Sequence, residues 1–329
     1  MEPEELRARR AAAQHLSEPA AGAREAVGRL LAVQAQELRA ARLAVRARTR
    51  GLTAGHIDGE LSRGSLVVGW LLRGTLHLVR SEDYRWLLAL TAPARLPANR
   101  RRLLQEGVPA AAAKRAVEVV REALAAEGPL TRPELGERLR AEGIRAEGQA
   151  LPHLLMLVAL RGVAVLGSVR DGRLAFALAD DWLEPAAPVE RDAALPELAR
   201  RYLAGHGPAT AADLARWAGL PLREARAGLA AVTQATAGTP PAPPPRLLPA
   251  FDPYMLGWKD RGFAVPPEQA RRVHPGGGVL RAVATVGGQA AGTWTLRGGE
   301  VELQPFASFA PDDEAALAGE AEDVVRFLS

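Results

Sequence analysis

The chain contains no cysteine and only two lysines, Lys114 and Lys259, among its 329 residues. The first absence excludes disulfides, thiolate nucleophiles and cysteine-based zinc sites, and it fits a cytoplasmic protein. The second leaves few amines for Schiff-base chemistry. No apolar run approaches the roughly 20 residues that span a bilayer. The charged start MEPEELRARR has no apolar stretch behind it to form a signal peptide. No membrane partner is expected. The phosphate-binding patterns GxxxxGKS/T and GxGxxG are missing, as are HExxH and GxSxG. The six histidines are scattered singly, so neither a metal site nor any other cofactor is expected. HPGGG at 274–278 reads as a turn, since no lysine or helix cap follows it.

Arginine is what the chain has in place of lysine. Of 42 basic residues, 40 are arginine, whose planar fork donates two parallel hydrogen bonds to phosphate. The overall charge of +4 conceals a segregation. Residues 1–105 hold 18 arginines against 10 acids, a balance of +8, whereas 106–190 stand at −3 and 191–329 at −1. A GC-rich genome explains the preference for arginine. It does not explain why the excess lies in one third of the chain.

Residues 21–50 predict two helices, about Ala21 to Val33 and Glu37 to Arg50, the second ending before Gly51. Arg39, Arg42 and Arg46 recur along the second as one basic stripe. The segment Ser65 to Arg80 predicts a β-hairpin turning near Arg73-Gly74. On its second arm Leu76 and Leu78 face one side, Thr75 and His77 the other. Ser81 is the expected cap of the next helix. Helix, basic helix, hairpin is the order of a winged helix-turn-helix module. Two later segments, 123–144 and 202–220, share a theme: an apolar helix, Gly-Pro, a threonine cap and a second helix. In each, Thr131 or Thr210 precedes Glu134 or Asp213 by three residues, a capping-box spacing. Behind the first, a helix over 151–160 and a hairpin around Asp171-Gly172 complete a second winged helix. Behind the other, 222–231 is a candidate third helix. The proline-rich TPPAPPPRLLP, 239–249, cannot be helix. Three antiparallel strands are expected over 279–286, 289–297 and 300–306, then an acidic helix over 312–328.

The expected fold is therefore mainly α with small β-hairpins: tandem winged helix-turn-helix modules and a small antiparallel β-rich C-terminal region. The division is 1–105, 106–190 and 191–329. Four strings then resemble a known family in register: VQAQELRAARLAVRAR, GWLLRGTLHLV, YLAGHGPATAADLARWAGL and LLPAFDPYMLGWKDR. They are similar to the AlkZ/YcaQ-like winged-helix DNA glycosylases of bacteria, over most of residues 24–306 and most weakly across 106–190. The resemblance implies modules that form one concave surface for double-stranded DNA. It also implies monofunctional hydrolysis of the N-glycosidic bond of alkylated purines, including interstrand cross-links. The family's catalytic Gln-x-Gln motif falls on Gln34 and Gln36. One branch carries Gln-x-Asp, from which this chain departs.

Two amides neither titrate nor attack, yet they suffice for a destabilised bond. A purine alkylated at N7 is already cationic and leaves neutral, so no acid is needed; a water must be held near the anomeric carbon and developing charge stabilised. Gln34 and Gln36 would point nearly opposite ways in a continuous helix, which predicts a break at 33–37. Without the resemblance, Gln-Ala-Gln is ordinary surface-helix sequence. Glu37, Asp58, Asp83 and Asp252 are lesser carboxylate candidates, and Asp252 in PAFDPY reads better as a brace. Arg39, Arg42, Arg46 and Arg73 are the expected DNA contacts. His77 is either a strand histidine satisfied locally or a fifth contact. The run Arg100 to Arg102 either meets phosphate or solubilises a linker. A lysine-free site predicts no lyase step. A monomer is expected, because three dissimilar modules do not match a two-fold operator. A winged-helix regulator without catalysis and a lesion binder with a dead site remain open at this level.

Overall fold

The computed structural model describes residues 1–170, 172–187, 189–233 and 238–329. Asp171, half of the expected turn pair, lies outside the described residues. About half of the chain is helical, with small antiparallel sheets. The chain divides into two compact units, one of Met1–Ile57 with Leu195–Ser329, the other of Asp58–Ala194. The expected boundary at 105 falls inside the second unit, where two hairpins share a sheet.

In that unit Leu66–Trp70 and Leu76–Arg80 form the expected hairpin, with Val68 opposite Leu78. The turn passes through Arg73 at φ 55° and Gly74 at φ 77°. A second hairpin pairs Ala164–Arg170 with Arg173–Leu178 and joins the first through Val68 and Leu166. Leu130–Thr131 extends the sheet beyond it. Helices Ala110–Glu127, Arg132–Ala141 and Ala150–Leu160 precede the second hairpin in the expected order. Thr131 and Glu134 form the capping box. Ser81 is the first residue of its helix and not the cap; Arg80 occupies that position without a side-chain cap bond.

The other unit opens with a helix not legible in the sequence, Pro3–Ala13, which buries Arg10 along with Ala8 and Ala11. Helices Ala23–Leu30 and Leu38–Arg46 follow, with a break between them. After the excursion come Arg191–His206, Ala211–Ala218 and Leu222–Ala230. The proline-rich connector ends as a strand, Arg246–Leu248, which adds a fourth member to the expected meander. The order is Glu300–Pro305, Gln289–Arg297, Val283–Val286 and Arg246–Leu248, all antiparallel. Pro311–Leu328 is the final acidic helix.

The core of this unit is aromatic. Tyr202 stacks on His206 at 4.8 Å, and Trp217, Trp258, Tyr254 and Phe263 continue the cluster. The Arg10 guanidinium lies 4.3 Å over both Trp258 and Phe263, so its charge is met by ring faces. Asp213 of the second capping box is buried and also accepts from the Lys259 backbone N–H. One local cap thereby ties two distant segments together.

Candidate active site

The helix Ala23–Leu30 stops because Leu31 takes φ 64° and ψ −42° while fully buried. A side chain with a Cβ is disfavoured there, and the helical register cannot continue through it. The chain then runs extended through Val33–Gln34 before the next helix starts at Leu38. The expected break at 33–37 is present. Its consequence is geometric, since extended backbone sends residues two apart to the same side. Val33 and Ala35 are buried, Gln34 is half-buried and Gln36 is exposed. The Gln34 Nε2 donates to Gln36 Oε1 at 2.7 Å. The carbonyl of Gln36 has a second lone pair.

The two amides line a shallow cleft of about 130 Å³ with Glu37, Ala40 and Phe251. No lysine is among these five residues. Phe251 comes from the loop between Arg246–Leu248 and the short helix Pro253–Leu256, and it too has positive φ, 59°. A second cleft of about 620 Å³ shares Glu37 and Ala40 with the first and adds Arg39, Arg281, Arg297 and Trp294. Arg281 and Arg297 escaped detection in the sequence because their region carries no net positive charge and they lie 16 residues apart. Phe251 escaped it because AFDPY reads as a brace.

The other candidates divide. Arg39 has its side chain 55% exposed and meets Glu37 at 3.5 Å. Arg42 and Arg73 are half-buried. Arg46 is a correction: its side chain is 2% exposed. It pairs with Glu320 at 2.9 Å and Asp323 at 3.1 Å and donates to the Leu247 carbonyl at 2.8 Å. The final helix covers that end of the stripe, and an arginine spent on two carboxylates cannot also meet phosphate. His77 is a second correction. It is buried, and its Nδ1 lies 2.9 Å from the Thr75 carbonyl. Burial, assisted by the Arg73 charge, pulls its pKa down to about 3, so the ring is neutral. Val79, on the same side two residues further on, is also buried, so this side of the arm is covered at His77.

The carboxylates resolve similarly. Asp83 is buried and accepts from Arg80 and Trp86. Asp252 is fully buried, caps Tyr254 and receives Arg48 through both oxygens, at 2.7 and 2.9 Å, as the brace reading expects. Arg100, Arg101 and Arg102 are exposed on the helix Leu96–Gln105, with Arg102 paired to Glu106. Among the described residues no group of three or more histidines and acids is placed to hold a metal ion. None of their helices is long and apolar enough to cross a membrane.

A lysine-free cleft lined by paired amides, beside a second cleft rimmed with arginine, suits hydrolysis on a polyanion. Comparison with known proteins gives the family. The sequence model of the family described as DNA glycosylase AlkZ-like matches residues 27–327. An interstrand DNA cross-link repair glycosylase from Streptomyces sahachiroi is 31% identical, covering 92% of this chain and 90% of that protein. The solved DNA glycosylase AlkZ of Streptomyces sahachiroi superposes with a TM-score of 0.74 at 27% identity, over 98% of this chain and 96% of that one. The chain belongs to the AlkZ-like DNA glycosylase family. It is an enzyme, a hydrolase.

Proposed function

We propose that this glycosylase releases N7-alkylated purines from double-stranded DNA, including purines joined in interstrand cross-links, with Gln34 and Gln36 holding the attacking water. The observation that carries it is the 2.7 Å contact between the two amides at the mouth of a lysine-free cleft. The C1′–N9 bond breaks with its electron pair going to the cationic purine, which departs neutral. The sugar is left oxocarbenium-like, water adds at C1′, and its proton passes to bulk solvent. The amides contribute by position and by dipole, not by proton transfer.

The size of the cleft bears on how the lesion is read. About 130 Å³ is well below the roughly 300 Å³ at which pockets for small molecules begin. It suits a few waters, not an extruded nucleoside. A lesion read within the duplex fits this, and a cross-linked base, which extrudes with difficulty, is then an acceptable substrate. The cross-link repair activity named for the Streptomyces relative favours the same substrate class.

The DNA contacts we assign are Arg39, Arg42 and Arg73, to which the neighbouring cleft adds Arg281 and Arg297. The winged-helix modules over 1–105, 106–190 and 191–329 supply the DNA-binding surfaces, and the protein acts as a monomer. The deciding assay is base release from one duplex carrying N7-methylguanine and another carrying a nitrogen-mustard cross-link, for wild type and Gln34→Ala/Gln36→Ala. A fall of about 10²–10³-fold in the double variant, with binding retained, is expected from removing preorganised polar groups. Unchanged release would make the glutamines structural.

A further inference from the structure

Phe251 is an unusual residue at an unusual angle. Its φ of 59° is a conformation that glycine or asparagine adopts readily and phenylalanine rarely. The conformation is held from the next residue. Asp252 is fully buried and fixed by both Arg48 nitrogens, which also donate to Ala44 O and Gln14 Oε1. Ala44 lies in the helix that begins two residues after Gln36, and Arg48 lies two residues past its end. The loop carrying Phe251 is thus clamped to the helix that follows the glutamines. Leu31, three residues before Gln34 in the chain, also has positive φ, 64°. Backbone held in a sparsely populated region, as at Phe251, is a recurrent mark of functional sites.

The ring is not there for the core. The aromatic cluster of Tyr202, Trp217, Tyr254 and Trp258 is buried, whereas Phe251 is only partly buried and lines the cleft with Gln34 and Gln36. A glycosidic bond that breaks ahead of water attack places positive charge on C1′ and the ring oxygen. The cleft offers that charge one carboxylate, Glu37, which is exposed and shared with Arg39. Beside the amide dipoles, an aromatic face is a further source of negative potential. It neither titrates nor captures the cation, and it excludes bulk water from one side.

We propose that Phe251 is a catalytic residue: its ring face is the wall against which the oxocarbenium-like deoxyribose is stabilised, and the Arg48–Asp252 pair positions it. The proposal rests on the glutamine cleft being the reaction site. Its test replaces Phe251 by a series of phenylalanines bearing one to five ring fluorines, which drain the ring face while nearly preserving its shape. Single-turnover release from both lesion duplexes is measured together with DNA affinity. The expected result is a stepwise fall in rate with each fluorine, about 10-fold across the series, with affinity unchanged within twofold. Phe251→Leu, of similar bulk without a π face, should match the most fluorinated member. A flat rate across the series and an active Phe251→Leu would overturn the proposal and leave the ring a filler. Gln34→Ala/Gln36→Ala, run alongside, separates the two failures. Release that survives in it defeats the site itself, whereas a flat fluorine series with a dead double variant defeats only the role of Phe251.

Discussion

The helix Leu38–Arg46 treats arginine in two ways. At its start Arg39 is exposed and loosely paired to Glu37, and it lines the larger cleft. At its end Arg46 and, just beyond, Arg48 are buried in ion pairs with residues from the opposite end of the chain. Arg39 and Arg46 lie on the same helical stripe, seven residues apart, and the residue type is identical. What differs is the cover: the final acidic helix and the strand Arg246–Leu248 close over one end and leave the other open. A basic stripe therefore does not equal a DNA-binding stripe. The same chemistry that would grip phosphate holds this unit together once carboxylates from its C-terminal half reach it.

The sharpest way to test that contrast is at Arg48. Arg48→Met leaves Asp252 buried and uncompensated, so unfolding in urea should show a destabilisation of about 3–5 kcal/mol. A value below about 1 kcal/mol would mean that the buried end is not structural. Arg46→Ala should cost less, about 2 kcal/mol, because each hydrogen bond to a charged group contributes about 1.5–3 kcal/mol and the partners here are partly rescued. Glu320 stays paired with Arg246 at 3.0 Å, and Asp323 with Arg326. The salt dependence of DNA affinity should not change in Arg46→Ala. If it does, Arg46 leaves its pocket to meet DNA, and the basic stripe binds along its whole length.

A pH titration probes the same buried end. Burial, with help from Arg48 and Arg10, pulls His206 down to about 3. Between about 6.5 and about 3 the unfolded chain binds a proton at this position and the native chain does not, so stability must fall as pH falls through that window. The slope is about 1.4 kcal/mol per pH unit for one histidine. His77 adds the same sign in the other unit. Urea unfolding at pH 7 and pH 5 should show the fall, and His206→Phe, which keeps a ring in the stack, should lessen it. A slope that is the same in wild type and His206→Phe would place the acid sensitivity elsewhere.

What the sequence displayed was local. The two capping boxes, both hairpins, the glycine-separated meander and the break before Glu37 all depend on residues within a few positions of one another, and each is in the structure. Asp213 shows where that stops: its cap was legible, its second bond to the Lys259 backbone, 46 positions away, was not. Arg46 is a further case, with partners 274 and 277 positions distant. His77 was placed by strand alternation beside Thr75, but burial of the ring follows from packing that alternation does not show. The first helix was hidden because its inward face includes an arginine, Arg10, which only the facing rings of Trp258 and Phe263 make tolerable. Of the candidate site, the amide pair was legible as a motif. Phe251 was not, since a positive φ leaves no trace in a phenylalanine codon.

The smallest expected effect lies at the open end of the helix, and it is the one that speaks to function. Arg39→Ala removes an exposed side chain whose pair with Glu37 is long, so stability should change by less than about 1 kcal/mol. Its signature should appear in DNA binding. Each phosphate that the protein no longer neutralises lowers the slope of log affinity against log salt by about 0.9, uniformly across sequences. Measured from low to moderate salt on undamaged duplex, the variant should therefore bind with a slope shallower by about that amount. Arg281→Ala and Arg297→Ala, across the same cleft, should behave alike. If Arg39→Ala leaves the slope intact while Arg281→Ala and Arg297→Ala reduce it, the DNA runs along the sheet side of the cleft and the basic stripe of this helix is structural from end to end.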